Sequence, residues 1–431
     1  MHIQLGHIST VVISSPKLAK EALKIHDIAL ADRPVTFTSD LVLYGNSDIA
    51  LAPYGEYWRQ MKKISSLELL SAKKVKSFGL IREQEVDHFI DFLRLSSGKL
   101  VNLRQTITKS INNIVCIASF GKNIKYQHEL VEFLDMLART NSGFYLADLF
   151  PKFKFLYFVS GMRSKLLKLY KTLDKVFDDI LKDHEKHRID KGDHVQEEDL
   201  LDVLLQVKNE GGLAFPITNN NIKAIFVDIF AGGTDTSSFT IEWAMTEMIR
   251  HPRVMKKAQD EVREAFKGKT KIKETDIQCL TYLQSVIKET LRLHVPLPLL
   301  IPRVCREQCE IGGYDIPVKT KVIVNAFACS TDPEYWEDAE TFKPERFDNS
   351  SVDFIGSNYE FIPFGAGRRM CPGINFGLVS VKLFLAQMLY YFDWKLPDGL
   401  SPMELDMTEV ESSIVAKKVH LQLIPTSYAP Q

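Results

Sequence analysis

The residues with most chemistry to offer are Phe364-Gly365-Ala366-Gly367-Arg368-Arg369-Met370-Cys371-Pro372-Gly373, one cysteine in a glycine-rich loop ahead of a long apolar run. Glycines let the backbone turn sharply and pass close to a flat group. The arginines offer charge for acidic groups, and Cys371 lies beside the start of a predicted helix, whose positive end favours a thiolate. A thiolate ligating haem iron meets all three demands and makes Cys371 the candidate metal ligand. The competing reading is a structural cysteine at a helix start, since free cysteine is among the most buried residue types.

A second cluster interrupts the longest helical pattern. Ala231-Gly232-Gly233-Thr234-Asp235-Thr236-Ser237 puts adjacent glycines and polar side chains where a core helix carries straight apolar residues. Each glycine costs about 1 kcal/mol relative to alanine in a helix. One reason for the defect is a kink that opens a groove for dioxygen and presents Asp235 and Thr236 as a proton-delivery pair. The other is a tight helix-helix contact through small residues, with Asp235 solvated. Further on, Glu289 and Arg292 share one helix face by their i,i+3 spacing.

The first cluster reads F-x-x-G-x-R-x-C-x-G, which resembles the haem-binding loop of the cytochrome P450 monooxygenases. Gly232 through Ser237 is similar to that family's (A/G)-G-x-(D/E)-T-(T/S) pattern. Glu289-Thr290-Leu291-Arg292 and Phe342-Lys343-Pro344-Glu345-Arg346-Phe347 follow in the family's order, so the resemblance covers Ile8 to Pro425. It implies the cytochrome P450 fold, mainly α with small β-sheets, with haem b between the long kinked helix and the Cys371 loop. Cofactor contacts implied are Phe364, Gly365, Arg369 and Gly373 in the loop, Trp58 and Lys62 on an early helix, and Arg303. Many relatives carry arginine at the Lys62 position. Glu289, Arg292 and Arg346 are implied to form a buried structural network behind the loop, because buried charges survive only when paired.

The resemblance also implies a reaction. Two electrons from NADPH arrive through a cytochrome P450 reductase, with cytochrome b5 as a further donor, Asp235 and Thr236 supply protons, and dioxygen is spent on hydroxylating a C–H bond. The run Leu291 to Arg303, with Val352-Asp353-Phe354-Ile355-Gly356, is similar to a plant microsomal clade rich in terpenoid hydroxylases. A lipophilic secondary metabolite, a terpenoid first, is the expected substrate. Its contacts by family analogy are Phe37 to Leu51, Asp228, Ile229, Ala231, Val295, Leu299, Ser412 and Ser413, with Asp228 orienting a hydroxyl. Val295 departs from the clade's usual H-P-P run. A haem-thiolate isomerase or dehydratase needing no reductase, and an inactive haem protein, stay open beside the monooxygenase.

The elements that must position these residues are mostly helical. Apolar recurrence at three and four residues predicts helices over Tyr54–Leu70, Lys73–Leu95, Leu103–Phe120, His128–Leu146, Arg163–Arg188, Asp199–Lys208, Asn219–Arg250, Arg253–Phe266, Thr281–His294 and Gly373–Tyr391. Ile189 to Gln196 reads as a loop. Ile8 to Ser15 reads as a strand, and Pro296 to Asn325 as β-rich around a Gly312-Gly313 turn.

With 431 residues, 45% of them hydrophobic, the chain can bury a large core, and no low-complexity linker divides it, so residues 1–431 are expected to form one catalytic domain. A formal charge of -1 gives no nucleic-acid footprint. Six scattered cysteines, with no second ligand pair after Cys305 and Cys309, argue for reduced thiols facing the cytosol and against zinc. Family relatives carry a membrane anchor and a proline-rich hinge ahead of the first strand, so this chain is expected to be N-terminally truncated relative to them. The cytosolic face of the endoplasmic reticulum is the implied location. Alternating aromatics and lysines over Phe150 to Phe158 suggest peripheral membrane contact, with an ordinary buried loop as the competing reading.

Overall fold

The computed structural model describes residues 1–121, 129–130, 146–150, 152–153, 162–191, 199–397 and 399–428. Among these residues ten longer helices carry the architecture: α1 (Glu56–Ile64), α2 (Gly79–Leu95), α3 (Leu103–Phe120), α4 (Met162–Lys191), α5 (Leu200–Glu210), α6 (Asn219–Gly233), α7 (Asp235–Arg250), α8 (Pro252–Ala265), α9 (Thr281–Leu293) and α10 (Ile374–Tyr391). Their limits follow local chemistry. Asp199 and Thr218 cap α5 and α6 with side-chain oxygens, and Pro252 opens α8 where its missing N–H costs nothing.

At the centre lies α10. It is apolar enough to cross a membrane by composition, yet Ser380 through Tyr391 are all buried, and α2, α7, α8 and α9 pack around it. A helix apolar on every side belongs in a core of this kind.

Three small sheets sit at the periphery. The first runs β1 (His2–Leu5), β2 (Ile8–Ile13), β7 (Lys321–Val324), β4 (Arg303–Val304), with β2 parallel to β7. This pairing joins the chain's first segment to the stretch that carries Arg303. A hairpin of β5 (Cys309–Ile311) and β6 (Tyr314–Ile316) turns through Gly312 and Gly313 at φ of +59° and +81°, as the sequence predicts. The third sheet joins β3 (Val101–Asn102), β9 (Gln422–Ser427) and β8 (Phe392–Lys395), and its C-terminal strands were not expected from periodicity.

Several boundaries differ from expectation. The helix predicted over Tyr54–Leu70 ends as a π-helical turn, Ser65–Leu69. That over Lys73–Leu95 breaks at Phe78, where the buried ring and the following glycine interrupt the ladder between Ala72–Ser77 and α2. Helix α4 continues to Lys191, three residues into the predicted loop, and is the longest uninterrupted helix among the described residues. The long helix expected over Asn219–Arg250 is present but divided at Thr234. Most of the predicted His128–Leu146 helix, residues 192–196 of the loop, and residues 154–158 of the aromatic-lysine stretch lie outside the described residues. In that stretch Phe150 meets the His7 ring at 5.0 Å, and Lys152 and Phe153 are exposed.

Ionic contacts tie these helices together. Lys223 of α6 bridges Asp174 and Asp178 of α4 at 2.5 and 2.6 Å. Between α7 and α9, His294 stacks on Trp243 at 3.9 Å and pairs through Nε2 with Glu247 Oε1 at 2.7 Å, while His251 Nδ1 reaches Glu247 Oε2 at 3.3 Å. Burial, the largest influence on Glu247, acts to raise it, but hydrogen bonds from His251 and His294 outweigh burial and bring it down to about 2. Burial acts to lower His294, and its bond to Glu247 raises it instead; the same carboxylate raises His251.

The sign follows for stability. The histidine contribution is complete below about pH 6.5 and is lost as pH rises through the raised folded values. The Glu247 contribution is complete above about pH 4.5 and is lost as pH falls toward about 2. Thermal midpoints are therefore expected to decline on both sides of mildly acidic pH. Glu247→Gln should flatten the alkaline limb; an alkaline limb of unchanged slope in this variant would refute the linkage.

Candidate functional site

The cysteine loop is held by an acid that its own motif does not contain. Asp27, near the N-terminus, accepts the Arg368 amide at 3.0 Å through Oδ2 and an Arg303 N–H at 2.7 Å through Oδ1. Arg303 also donates to the Ala366 carbonyl at 3.0 Å. Gly367 has φ +71°, and a Cβ there would collide with the Leu23 carbonyl oxygen and with Asp27, so only glycine admits the clamp. Beyond it the Cys371 amide donates to the Phe364 carbonyl at 3.0 Å, which closes the loop ahead of α10. Gly365 has φ +69°, and Phe364 meets Phe354 edge-on at 5.4 Å.

Cys371 carries exposed surface, while protein surrounds its thiol closely. The helix start favours the thiolate as the sequence leads one to expect, through the Gly373 N–H, but it is outweighed. Burial raises the thiol above its ordinary value, and the Gly373 N–H and the Lys62 ammonium only oppose that rise. Metal coordination, which deprotonates a thiol outright, is the way such a group gives up its proton.

Adjoining α10 is the break in the long helix. Thr234 has φ −87° and ψ −66°, its amide reaches Phe230 O only at 3.4 Å, and Thr236 Oγ1 donates back to the Gly232 carbonyl at 2.6 Å. The two readings of the glycines divide between them. Gly233 is the tight contact, its Cβ position 3.3 Å from Val115 Cγ2 of α3. Gly232 is exposed in mid-helix with no atom within 4 Å of its Cβ position, so it faces an open hollow. A Cβ on Gly377 of α10 would lie 3.4 Å from Ser237 Oγ, which places the break against the turn that follows Cys371.

Positive charge concentrates beside the loop. Arg369 donates to the carbonyls of Ala31, Ile49 and Ala52 at 2.9, 3.3 and 2.6 Å, and its guanidinium lies 4.2 Å from the Trp58 ring. Trp58 Nε1 donates to Ile49 O at 2.9 Å, and Lys62 Nζ to Met370 O at 2.8 Å. Arg33, absent from the sequence reading, donates to Ala50 O at 2.9 Å and to Ile301 O and Pro302 O at 2.5 and 3.0 Å. Among the described residues, Arg303 alone of these cations has a carboxylate within ion-pair distance.

Carbonyl oxygens satisfy the other donors without cancelling their charge. Burial, then repulsion from Arg303 and Arg369, holds Arg33 well below the usual guanidinium range. Burial first, then Arg303, brings Arg369 to about 10, and burial brings Lys62 to about 8. A planar group with two carboxylates and a metal that takes a thiolate fits this arrangement: uncompensated cations, glycine-lined space and Cys371 stand together.

Behind the loop, Glu289 is fully buried and accepts Arg292 Nε and Nη2 at 2.8 and 2.9 Å, Arg346 Nε at 3.0 Å and the Lys343 amide at 2.9 Å. Arg292 spends its remaining donors on the carbonyls of Ser330, Ala339 and Thr341. These contacts join Glu289, Arg292 and Arg346 in one closed, buried network.

The expected substrate contacts scatter more widely. Ile229 and Ala231 are half-buried beside the break, and Leu299 is exposed. Ser412 and Ser413 are exposed on an irregular segment, which reaches the Pro296 carbonyl through the Val415 amide at 3.0 Å. Two expectations are corrected. Val295 is fully buried in the second core cluster, with Ile13, Val322 and Val324, so it offers a substrate no surface. Asp228 does not keep its carboxylate free for a hydroxyl: Oδ2 accepts the amides of Ile49 and Ala50 at 2.7 and 3.1 Å and pins the early loop to α6. Asp27 and Arg33 were missed because nothing local marks an acid or an arginine whose partners lie hundreds of residues away.

Comparison with known proteins matches this architecture. The family description "Cytochrome P450" matches residues 1–424. Premnaspirodiene oxygenase from Hyoscyamus muticus is 52% identical over 432 residues, covering 100% of this chain and 86% of that protein. Germacrene A hydroxylase from Barnadesia spinosa is 53% identical over 429 residues, covering 99% and 85%. A solved zebrafish cytochrome P450 structure with progesterone superposes with a TM-score of 0.84 at 24% identity, covering 99% of this chain and 96% of that one, and it shows the shared fold.

Proposed function

The chain belongs to the cytochrome P450 family and is a monooxygenase, and on that premise we propose that it hydroxylates a lipophilic terpenoid, using dioxygen and electrons delivered from NADPH by a flavoprotein reductase. The observation that carries the site is the meeting of Cys371, the open face at Gly232 and the uncompensated cations beside Trp58. The terpenoid class rests on the names of the relatives, a premnaspirodiene oxygenase and a germacrene A hydroxylase, at just over half identity. Location at the cytosolic face of the endoplasmic reticulum, and one catalytic domain over the chain, belong to the same reading.

Haem, when bound, supplies the redox chemistry of oxygen activation. Cys371 would hold its iron through the thiolate, with Phe364, Gly365 and Gly373 forming the loop around that cysteine. Arg369, Lys62 and Arg33 would place the positive field for its two carboxylates, with Trp58 packed against the Arg369 guanidinium, and Arg303 would hold the Ala366 end of the loop against Asp27. Ile229 and Ala231, apolar and half-exposed, would guide a hydrocarbon toward the break. Thr236 already points its hydroxyl proton at the Gly232 carbonyl, which leaves the oxygen lone pairs as acceptors toward the hollow. Rotation of that hydroxyl, with Asp235 adjoining it, would pass a proton inward. On the outer side, a recess of about 530 Å³ lined by Arg59, Lys62, Lys63 and Arg368 suits an acidic electron-donor protein; cytochrome b5 fits the same description.

Thr236→Val is expected to reduce hydroxylated product per NADPH consumed by roughly 10²-fold, the lower end for loss of a positioned proton donor. Product and NADPH measured together check this; an unchanged ratio would remove Thr236 from proton delivery. The function itself is tested by purified chain with a plant reductase, NADPH and a panel of sesquiterpene hydrocarbons. Hydroxylated product dependent on both oxygen and reductase supports the reading, whereas substrate rearrangement without NADPH would replace it with a haem-thiolate isomerase.

A further inference from the structure

The segment from Asp48 to Ala52 is anchored from both sides of its backbone. Its carbonyls at Ile49, Ala50 and Ala52 hold Trp58, Arg33 and Arg369, and its amides at Ile49, Ala50 and Leu51 are held by two acids. Asp228 takes the first two amides through one oxygen. Asp48 takes the Leu51 amide at 2.7 Å through Oδ2, while its Oδ1, in a fully buried side chain, finds no donor among the described residues. Because Asp228 bonds the two amides that directly follow Asp48, the two buried carboxyl groups are near neighbours.

Two adjacent buried carboxylates repel, and a buried oxygen without a donor is costly. One proton on Asp48 Oδ1 removes both faults. It cancels one charge and becomes the donor that the acceptor-only contact lacks. We propose that Asp48 and Asp228 share a single proton, and that Asp48 is thereby a positioning residue that locks the segment from Asp48 to Ala52 onto α6. The remaining negative charge sits on the Asp228 oxygen that faces the two amides. Through the Ile49 carbonyl the lock extends to Trp58 and Arg369, though neither acid touches the reacting centre.

The surroundings agree in direction. Burial raises both carboxyls, as one proton held between them requires. The groups facing the pair are Arg33 and Arg369 toward Asp48, Lys62 toward Asp228, and Tyr57, whose phenol is pushed up to about 12, chiefly by burial. The three cations favour a second negative charge; burial opposes it more strongly.

Opening of the segment would return each carboxyl to the ordinary range near pH ~4. Between that range and the raised value of the closed pair, the closed form binds one more proton than the open form. The open fraction then rises about tenfold per pH unit across this window.

Amide hydrogen exchange at Ile49 and Ala50 in the haem-loaded chain, corrected for base-catalysed chemistry, reads this directly. Protection is expected to fall about tenfold for each unit of pH from about 5 upward. Asp48→Asn, whose amide is a permanent donor, should hold protection and abolish the slope, while Asp228→Ala should lose protection at every pH. A flat profile in the wild-type chain, or the same slope in Asp48→Asn, overturns the shared proton. The infrared carbonyl band of a protonated carboxyl provides a check on the unaltered protein: it is expected at neutral pH and missing in Asp48→Asn. Its absence from the wild-type spectrum, or its persistence in that variant, overturns the proposal as well.

Discussion

Cys371→Ser is expected to abolish hydroxylation and the red-shifted Soret band of the reduced, carbon monoxide-bound protein. Serine keeps the size and the loop geometry, including the amide bond to the Phe364 carbonyl. What it removes is a soft, polarizable ligand that deprotonates on coordination. A hydroxyl at the same position has a far higher intrinsic pKa and remains a neutral oxygen, so the electron push of a thiolate is absent. Cys371 carries exposed surface and belongs to neither core cluster, so the unfolding midpoint of the haem-free chain should barely move. Spectra of the reduced protein under carbon monoxide, taken beside a denaturation curve, separate ligand loss from unfolding. Persistence of the thiolate-type band in Cys371→Ser would mean that another residue holds the metal.

The largest stability effect is expected at Glu289. This carboxylate, buried at 0% exposure, receives donors from Arg292, Arg346 and the Lys343 amide. Glu289→Ala leaves two guanidinium groups with carbonyl partners but no counter-charge. Removing one side of a buried pair costs about 3–5 kcal/mol. Glu289→Gln keeps an acceptor and the shape while losing the charge, so it should fall between wild type and alanine. Denaturant midpoints of the three proteins at equal haem loading test this order. A loss below about 1 kcal/mol for alanine would place the network among the weak, solvent-screened pairs, contrary to its burial.

The motifs were legible because each is a local pattern with a local physical cause. Gly365 and Gly367 take positive φ inside the loop, and Cys371 stands just ahead of a helix start, so type and spacing survive in the sequence. The Glu289–Arg292 pair was readable for the same reason, since i,i+3 spacing alone brings the charges together. Helix boundaries were less so. The break at Phe78 and the run-on of α4 to Lys191 depend on what each turn packs against, which periodicity does not contain.

Substrate contacts were the least legible part. Val295 and Asp228 both carry side chains that suit a binding wall, yet one is consumed by core packing and the other by two backbone amides. Which side chains remain available is settled only when every backbone donor has found its acceptor.

The sequence by itself determined the mainly helical class, the break in the long helix before Asp235 and Thr236 and the Glu289–Arg292 pair, and it singled out Cys371, because those depend on neighbours within a few residues. Only the tertiary structure decided that Asp27 clamps the loop across more than 300 residues, that Arg33 joins the cation cluster, and that Asp48 meets Asp228. The reason is electrostatic. A buried charge is tolerable only with its partner in place, and partners drawn from distant segments come together only when the core has closed around them.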